Sequence, residues 1–90
     1  MISLDDLKQR ITPEPSQPNY KGLENKDKLI LLIYACNYFF LAPTIKGAEA
    51  ELGLTRKQIL KAIREIRKEN QYKINTSKYE IDVMITIDWS

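Results

Sequence analysis

Apolar residues dominate the middle of the chain, where residues 26–41 carry them at helical spacing on almost every side. Asn25 is the expected N-terminal cap of this first long helix, and Pro43 is the expected stop signal. A helix that is apolar nearly all round has to be covered on more than one side. Its own domain can cover one side, so a second segment or molecule is expected to cover Tyr34 and Tyr38.

Two amphipathic helices are predicted directly after this segment. The first covers Ile45–Leu52 with Thr44 as its cap, and Gly53 follows as the residue best able to end it in a left-handed conformation. The second covers residues 55–69 and begins with a Thr-x-x-Gln capping box. Its isoleucines Ile59, Ile63 and Ile66 are expected to face inward, and the helical repeat places four cations on the opposite face: Lys57, Lys61, Arg64 and Lys68. Two helices joined by a glycine-containing turn of roughly three residues have the spacing of a helix-turn-helix.

The periodicity changes from helical to alternating after this point. The alternation predicts two half-buried strands, residues 72–75 and 79–88, joined by a short loop over residues 76–78 as an antiparallel hairpin. Trp89 is expected to close the hairpin as a core or edge residue. Three acidic side chains are expected on the outward face of the second strand: Glu80, Asp82 and Asp88.

The N-terminal segment differs in composition from the rest. Residues 3–11 are predicted to form a short helix with Ser3 as its cap. Three prolines follow, and they exclude a helix and favour an extended linker: Pro13, Pro15 and Pro18. We therefore expect a short helix and Pro-rich linker in residues 1–20 and a globular domain in residues 21–90.

Positive charge is concentrated in the predicted helix over residues 55–69. This helix contains six basic and two acidic side chains, a net charge of +4, whereas the whole chain carries +2. The remainder of the chain is therefore net negative. A basic helix directly behind a helix-turn is the electrostatic pattern expected for a nucleic-acid partner.

Composition also excludes several classes of protein. Cys36 is the only cysteine and histidine is absent, so the sequence cannot form an intrachain disulfide, a zinc site or a Cys–His nucleophile pair. Neither a nucleophile–base pair nor a phosphate-binding loop is visible, and we expect no enzymatic activity, cofactor or metal. The apolar run over residues 29–42 is shorter than the roughly 20 residues of a membrane span, and Met1 is not followed by a secretory pattern. We expect a cytoplasmic protein without a membrane partner.

Residues 48–66 resemble the winged helix-turn-helix DNA-binding domains that are common in bacterial and archaeal regulators. The family pattern is an acidic, alanine-containing helix, a Leu-Gly-Leu-Ser/Thr-Arg turn, and a helix with a branched apolar residue four positions after the Ser/Thr. Six residues match it: Leu52, Gly53, Leu54, Thr55, Arg56 and Ile59. Glu49 departs from it, because the family usually has a small residue there; either the register shifts by one residue or Glu49 points outward. The resemblance implies an α+β fold, in which a three-helix core is followed by a C-terminal β-hairpin wing.

The resemblance also implies how such a chain would bind double-stranded DNA. The helix over residues 55–69 would lie in the major groove, with its N-terminal residues at base edges and later basic residues at phosphates. The expected contacts are Arg56, Lys57 and Lys61 at base edges, Leu60 against a thymine methyl group, and Thr55 and Arg64 at phosphates. Lys46 is expected at the DNA backbone, and the wing offers Lys73 and Lys78, although only the wing tip is expected to approach DNA. The main hypothesis is a small sequence-specific transcriptional regulator.

Protein–protein contact is the alternative use of the same fold, since fold alone does not settle function. In that hypothesis the chain is an adaptor in a replication or transcription assembly, and the N-terminal segment and first long helix dock onto a protein partner. In the DNA-binding hypothesis we expect a homodimer through the first long helix. Frequent isoleucine, lysine, asparagine and tyrosine are typical of an AT-rich genome, such as that of a virus or mobile element.

Overall fold

Four helices precede a C-terminal antiparallel hairpin in the computed structural model, which describes residues 1–12 and 14–89. Pro13, one of the linker prolines, and Ser90 lie outside the described residues. The elements in chain order are α1 (Leu4–Arg10), α2 (Asn25–Tyr38), α3 (Ile45–Leu52), α4 (Arg56–Glu69), β1 (Lys73–Tyr79) and β2 (Asp82–Asp88).

One hydrophobic core lies between α2, α4 and the inner face of the hairpin. Helix α4 contributes the predicted isoleucine stripe, since Ile59, Ile63 and Ile66 are all buried. Ala48 of α3 is fully buried, whereas the neighbouring Glu49 is half-buried. The small residue between the two helices is therefore Ala48, which answers the question of register that the sequence left open.

The second apolar side of α2 is covered largely by the chain itself. Leu31 is fully buried, and the N-terminal segment contributes Leu7 and other residues to the same core. Tyr34 packs edge-to-face against Trp89, with ring centroids 5.2 Å apart, and the Trp89 Nε1–H donates a hydrogen bond to Asn37 Oδ1 at 2.8 Å. Trp89 thus closes the hairpin against α2, as predicted.

Helix α2 is shorter than predicted at its C-terminal end and differs at its start. It ends at Tyr38 instead of residue 41, and its N-cap is Glu24, without a side-chain capping bond, instead of Asn25. At the C-terminal end the Leu41 N–H donates to Cys36 O at 2.9 Å and the Phe40 N–H donates to Asn37 O at 3.0 Å. These two bonds form a Schellman motif, which ends the helix before Pro43 is reached.

The hairpin turn lies further along the chain than predicted. Residues 76–78, the predicted loop, belong to β1, and the turn is formed by Glu80 and Ile81, with Tyr79 paired to Asp82. Glu80 has a φ of +55°. The prediction failed because polar residues on the exposed face of a strand resemble a loop in composition, whereas Glu-Ile carries no turn signal.

A short contact ties the hairpin to the start of α3. Thr44 forms an isolated antiparallel bridge with Met84, and the Ile85 N–H donates to Pro43 O at 2.8 Å. The hairpin therefore packs beside the helix-turn-helix in a layout compatible with a winged helix. Among the described residues, no helix has the length and apolar character needed to cross a bilayer.

Candidate nucleic-acid interface

The start of α4 is held by a complete capping box. The Gln58 N–H donates to Thr55 Oγ1 at 3.2 Å, and the Thr55 N–H donates to Gln58 Oε1 at 2.9 Å. Just before it, Gly53 adopts a left-handed φ of +65° and ends α3. Both predictions for this turn are confirmed, and together they set the direction in which α4 leaves the turn.

A row of four cations runs along the outer face of α4. Because the spacing follows the helical repeat, the four share one face, opposite the buried isoleucines. They are Lys57, Lys61, Arg64 and Lys68, and each is exposed. Within residues 1–12 and 14–89, every salt bridge involves Lys26, so none of the basic side chains of α4 is paired with a carboxylate.

Acidic residues lie on the α2 side of this row. Glu69 accepts a hydrogen bond from Lys26 Nζ, and Lys26 also lies 3.5 Å from Glu24. The hydrogen bond to Glu69 is the main cause of the raised pKa of Lys26. Lys61 and Glu65 line a cleft together with Lys26 and Glu24. Lys61 therefore has acidic neighbours, whereas the other cations of the row do not line this cleft.

The opposite flank of α4 faces the hairpin. Leu60 lies here with 36% of its surface exposed, and Arg67 Nη2 lies 3.4 Å from Thr76 Oγ1 of β1. Arg56 is exposed at the first position of the helix. Arg67 and Lys68 were not among the predicted contacts, although a helical wheel places both near the basic face.

The three predicted contacts outside α4 lie in different surroundings. Lys46 is the second residue of α3, and its N–H donates to Asp82 Oδ1 at 3.4 Å. Lys73 is exposed at the start of β1, opposite Asp88 in the strand register, and Lys78 is exposed two residues before the turn. Of these three lysines, only Lys78 therefore lies near the hairpin tip. The tip itself is formed by Glu80 and Ile81 and not by the predicted residues 76–78.

Two of the three acidic residues expected on the outward face of the hairpin lie elsewhere. Glu80 is in the turn, and Asp82 accepts a hydrogen bond from the Val83 N–H at 2.7 Å and faces the start of α3. Partial burial acts to raise the pKa of Asp82, but hydrogen bonds from Thr44, Val83 and Lys46 outweigh it and lower this pKa. Only Asp88 remains exposed on a strand.

Comparison with family models, with curated proteins and with solved structures finds no match to this chain. No group of three or more potential metal-ligating side chains lies together in the described part of the chain. The most distinctive chemical feature is the row of cations on a capped, core-anchored helix, and such a row is suited to binding a polyanion.

Proposed function

We propose that this chain is a winged helix-turn-helix protein that binds double-stranded DNA, with α4 in the major groove, and that it acts as a small sequence-specific transcriptional regulator. One observation carries the proposal: four exposed cations that form no salt bridge with any described carboxylate share one face of α4, and isoleucines anchor the opposite face. A helix of this kind fits the width of the major groove and matches the charge of its phosphate walls.

Individual roles follow from position along α4. Arg56 and Lys57 are at the N-terminal end, which meets base edges in helix-turn-helix complexes, and Leu60 offers an apolar contact to a thymine methyl group. Arg64, two turns along the same face, is assigned to phosphate. Lys61 is assigned to base edges in spite of its acidic neighbours. Thr55 is assigned to phosphate, with its hydroxyl also capping the helix.

A duplex titration over a series of salt concentrations tests the proposal. About five phosphate contacts predict a slope of about −4.5 in a plot of log K against log salt, and the variant Arg64→Gln, which removes an assigned phosphate contact, should reduce the magnitude of that slope by about 0.9. Lys8→Gln is the matched control, because Lys8 is exposed on α1, which contacts α2 and not α4. Absence of binding at low salt, a slope near zero, or equal effects of the two variants would contradict the proposal. Selection from a random duplex pool then tests whether the binding is sequence-specific.

A protein-interaction module is the second candidate, and exposed apolar residues favour it. Four consecutive residues after the centre of α2 are exposed, from Tyr38 to Leu41. The N-terminal segment offers less to a partner, because Leu7 and Ile11 are already buried in the core. Recovery of a stoichiometric protein partner, together with failure of the duplex titration, would favour this candidate.

A further inference from the structure

An apolar groove lies between the Pro-rich linker and helices α2 and α3. Its volume is about 360 Å³. Most of the residues that line it are apolar or aromatic, among them Pro18, Tyr20, Leu32, Cys36 and Pro43. The Tyr20 hydroxyl is buried and has no hydrogen-bond partner in the described part of the chain, and Glu51 is the only charged residue in the lining.

An exposed apolar patch, residues 38–41, lies directly beside this groove. Phe40 is 98% exposed, and the other three members are between 47% and 64% exposed. Phe40 also has a left-handed φ of +60°, at the position of a Schellman motif where glycine is the usual residue. The fold therefore exposes the whole Phe40 ring to solvent. It also holds Phe40 in a backbone conformation that glycine would adopt with less strain.

The patch and the groove share two residues. Phe39 and Leu41 line the groove, while Phe40, between them, projects into solvent. In a two-fold symmetric dimer, each copy offers the same exposed ring and the same apolar groove to the other. A ring that projects beside a groove can therefore fill the groove of the partner while the partner's ring fills its own. We propose that a second copy of this chain covers the groove, with Phe40 of each copy inserted into the groove of the other.

The sizes fit this occupant. A cavity of about 150 Å³ is large enough to bind benzene, so the groove has room for a phenyl ring. Aromatic side chains bury roughly 150–250 Å² each, so the exposed parts of residues 38–41 supply on the order of 500 Å² per copy. The groove walls add little to this area, since Phe39 and Leu41 belong to both surfaces, so the contact of roughly 600 Å² per copy is at the low end of specific interfaces and fits a weak dimer.

This pairing uses the end of α2 instead of its centre. The apolar residues of the centre, among them Leu31 and Ile33, are buried within the chain and cannot reach a partner. The proposal goes beyond the proposed function and does not depend on DNA binding, since it concerns a different set of residues from the basic face of α4.

Sedimentation velocity over a concentration series tests the pairing. The wild-type chain should form a dimer with a micromolar dissociation constant, and Phe40→Gly should raise that constant by at least about 30-fold, as for a central aromatic interface residue. Glycine suits the left-handed position, so loss of folding does not account for the effect. Ile81→Ser is the matched control: Ile81 is 89% exposed at the hairpin turn, away from the groove, and should leave the constant unchanged.

Alkylation of Cys36 reports on the groove itself. The rate per thiol should fall as the wild-type concentration passes through the dissociation constant, and it should not fall in Phe40→Gly. A monomer at several hundred micromolar, an assembly larger than a dimer, equal association of wild type and Phe40→Gly, or a dimer in which Cys36 reacts as fast as in the monomer would each overturn the proposal. The first outcome would leave the groove to a different protein, and the last would place the dimer contact elsewhere.

Discussion

Two adjacent residues of α4 allow the orientation of this helix to be tested directly. Ile59 is fully buried, whereas Leu60 is 36% exposed. We expect Ile59→Ala to destabilise the fold strongly while preserving the basic face, and Leu60→Ala to have little effect on stability. Alanine favours a helix at either position, so the two variants differ chiefly in the burial of the side chain that is removed.

The magnitude follows from the burial. Truncation of a buried isoleucine to alanine removes three carbon groups, each worth about 0.8 kcal/mol, or roughly 2.5 kcal/mol of transfer free energy. The cavity left behind raises the expected loss to about 3–4 kcal/mol. A chain of this length is stable by roughly 5–13 kcal/mol, so Ile59→Ala removes a large fraction of the total. Leu60→Ala should cost less than about 1 kcal/mol, because much of its side chain is already hydrated.

Urea denaturation followed by Trp89 fluorescence measures both changes. The urea concentration at the unfolding midpoint should fall steeply for Ile59→Ala and only slightly for Leu60→Ala. The slope of the unfolding free energy against urea concentration should stay the same in both variants. Leu60→Ala should instead weaken duplex binding if α4 lies in the major groove. Equal destabilisation by the two variants, or a larger loss for Leu60→Ala, would mean that α4 is rotated about its axis and that the basic row does not face solvent.

Two further predictions concern the turn and the contact between the hairpin and α3. Thr55→Ala removes the hydroxyl of the capping box and should lower the free energy of unfolding by about 1 kcal/mol. Thr55→Ser keeps a hydroxyl and should lose much less stability. Equal losses for the two variants in a urea titration would show that the cap does not stabilise α4. The pKa of Asp82 is lowered from 3.8, so its ionised form stabilises the fold above the pKa of the unfolded chain, and this contribution is lost as the pH falls through the folded pKa. Wild type should therefore be more stable than Asp82→Asn at pH 7, and in urea titrations the difference should shrink as the pH falls below 3.8. A difference that is independent of pH would contradict this cause.

Local sequence patterns were sufficient to predict the elements that position α4. The capping box at Thr55, the glycine at position 53 and the isoleucine spacing all depend on interactions within a few residues, and the structure has each of them. The exposure of Lys57, Lys61 and Arg64 followed from the same helical repeat, because a helix with one apolar stripe buries that stripe.

Other features depended on contacts between distant segments. The hairpin turn at Glu80 and Ile81 has no composition signal, and the pairing of β1 with β2 decides where it falls. Asp82 was assigned to an exposed strand face, but packing of the hairpin beside α3 turns it toward the Lys46 N–H. The pairing register of β1 with β2 depends on contacts along the whole length of both strands. These contacts outweigh the weak turn and strand preferences of single residues, so the register could not be predicted from those preferences.

The sequence by itself determined that the helices form, although not where α2 ends, and which face of α4 is basic; its single cysteine also excludes an intrachain disulfide. Only the tertiary structure decided that the centre of α2 is covered by the chain's own N-terminal segment and Trp89, and that Phe40 remains exposed beside an open groove. The physical reason is the range of the interactions. Helix periodicity and capping act over about four residues, whereas the cover of an apolar face depends on segments that meet only when the whole chain folds.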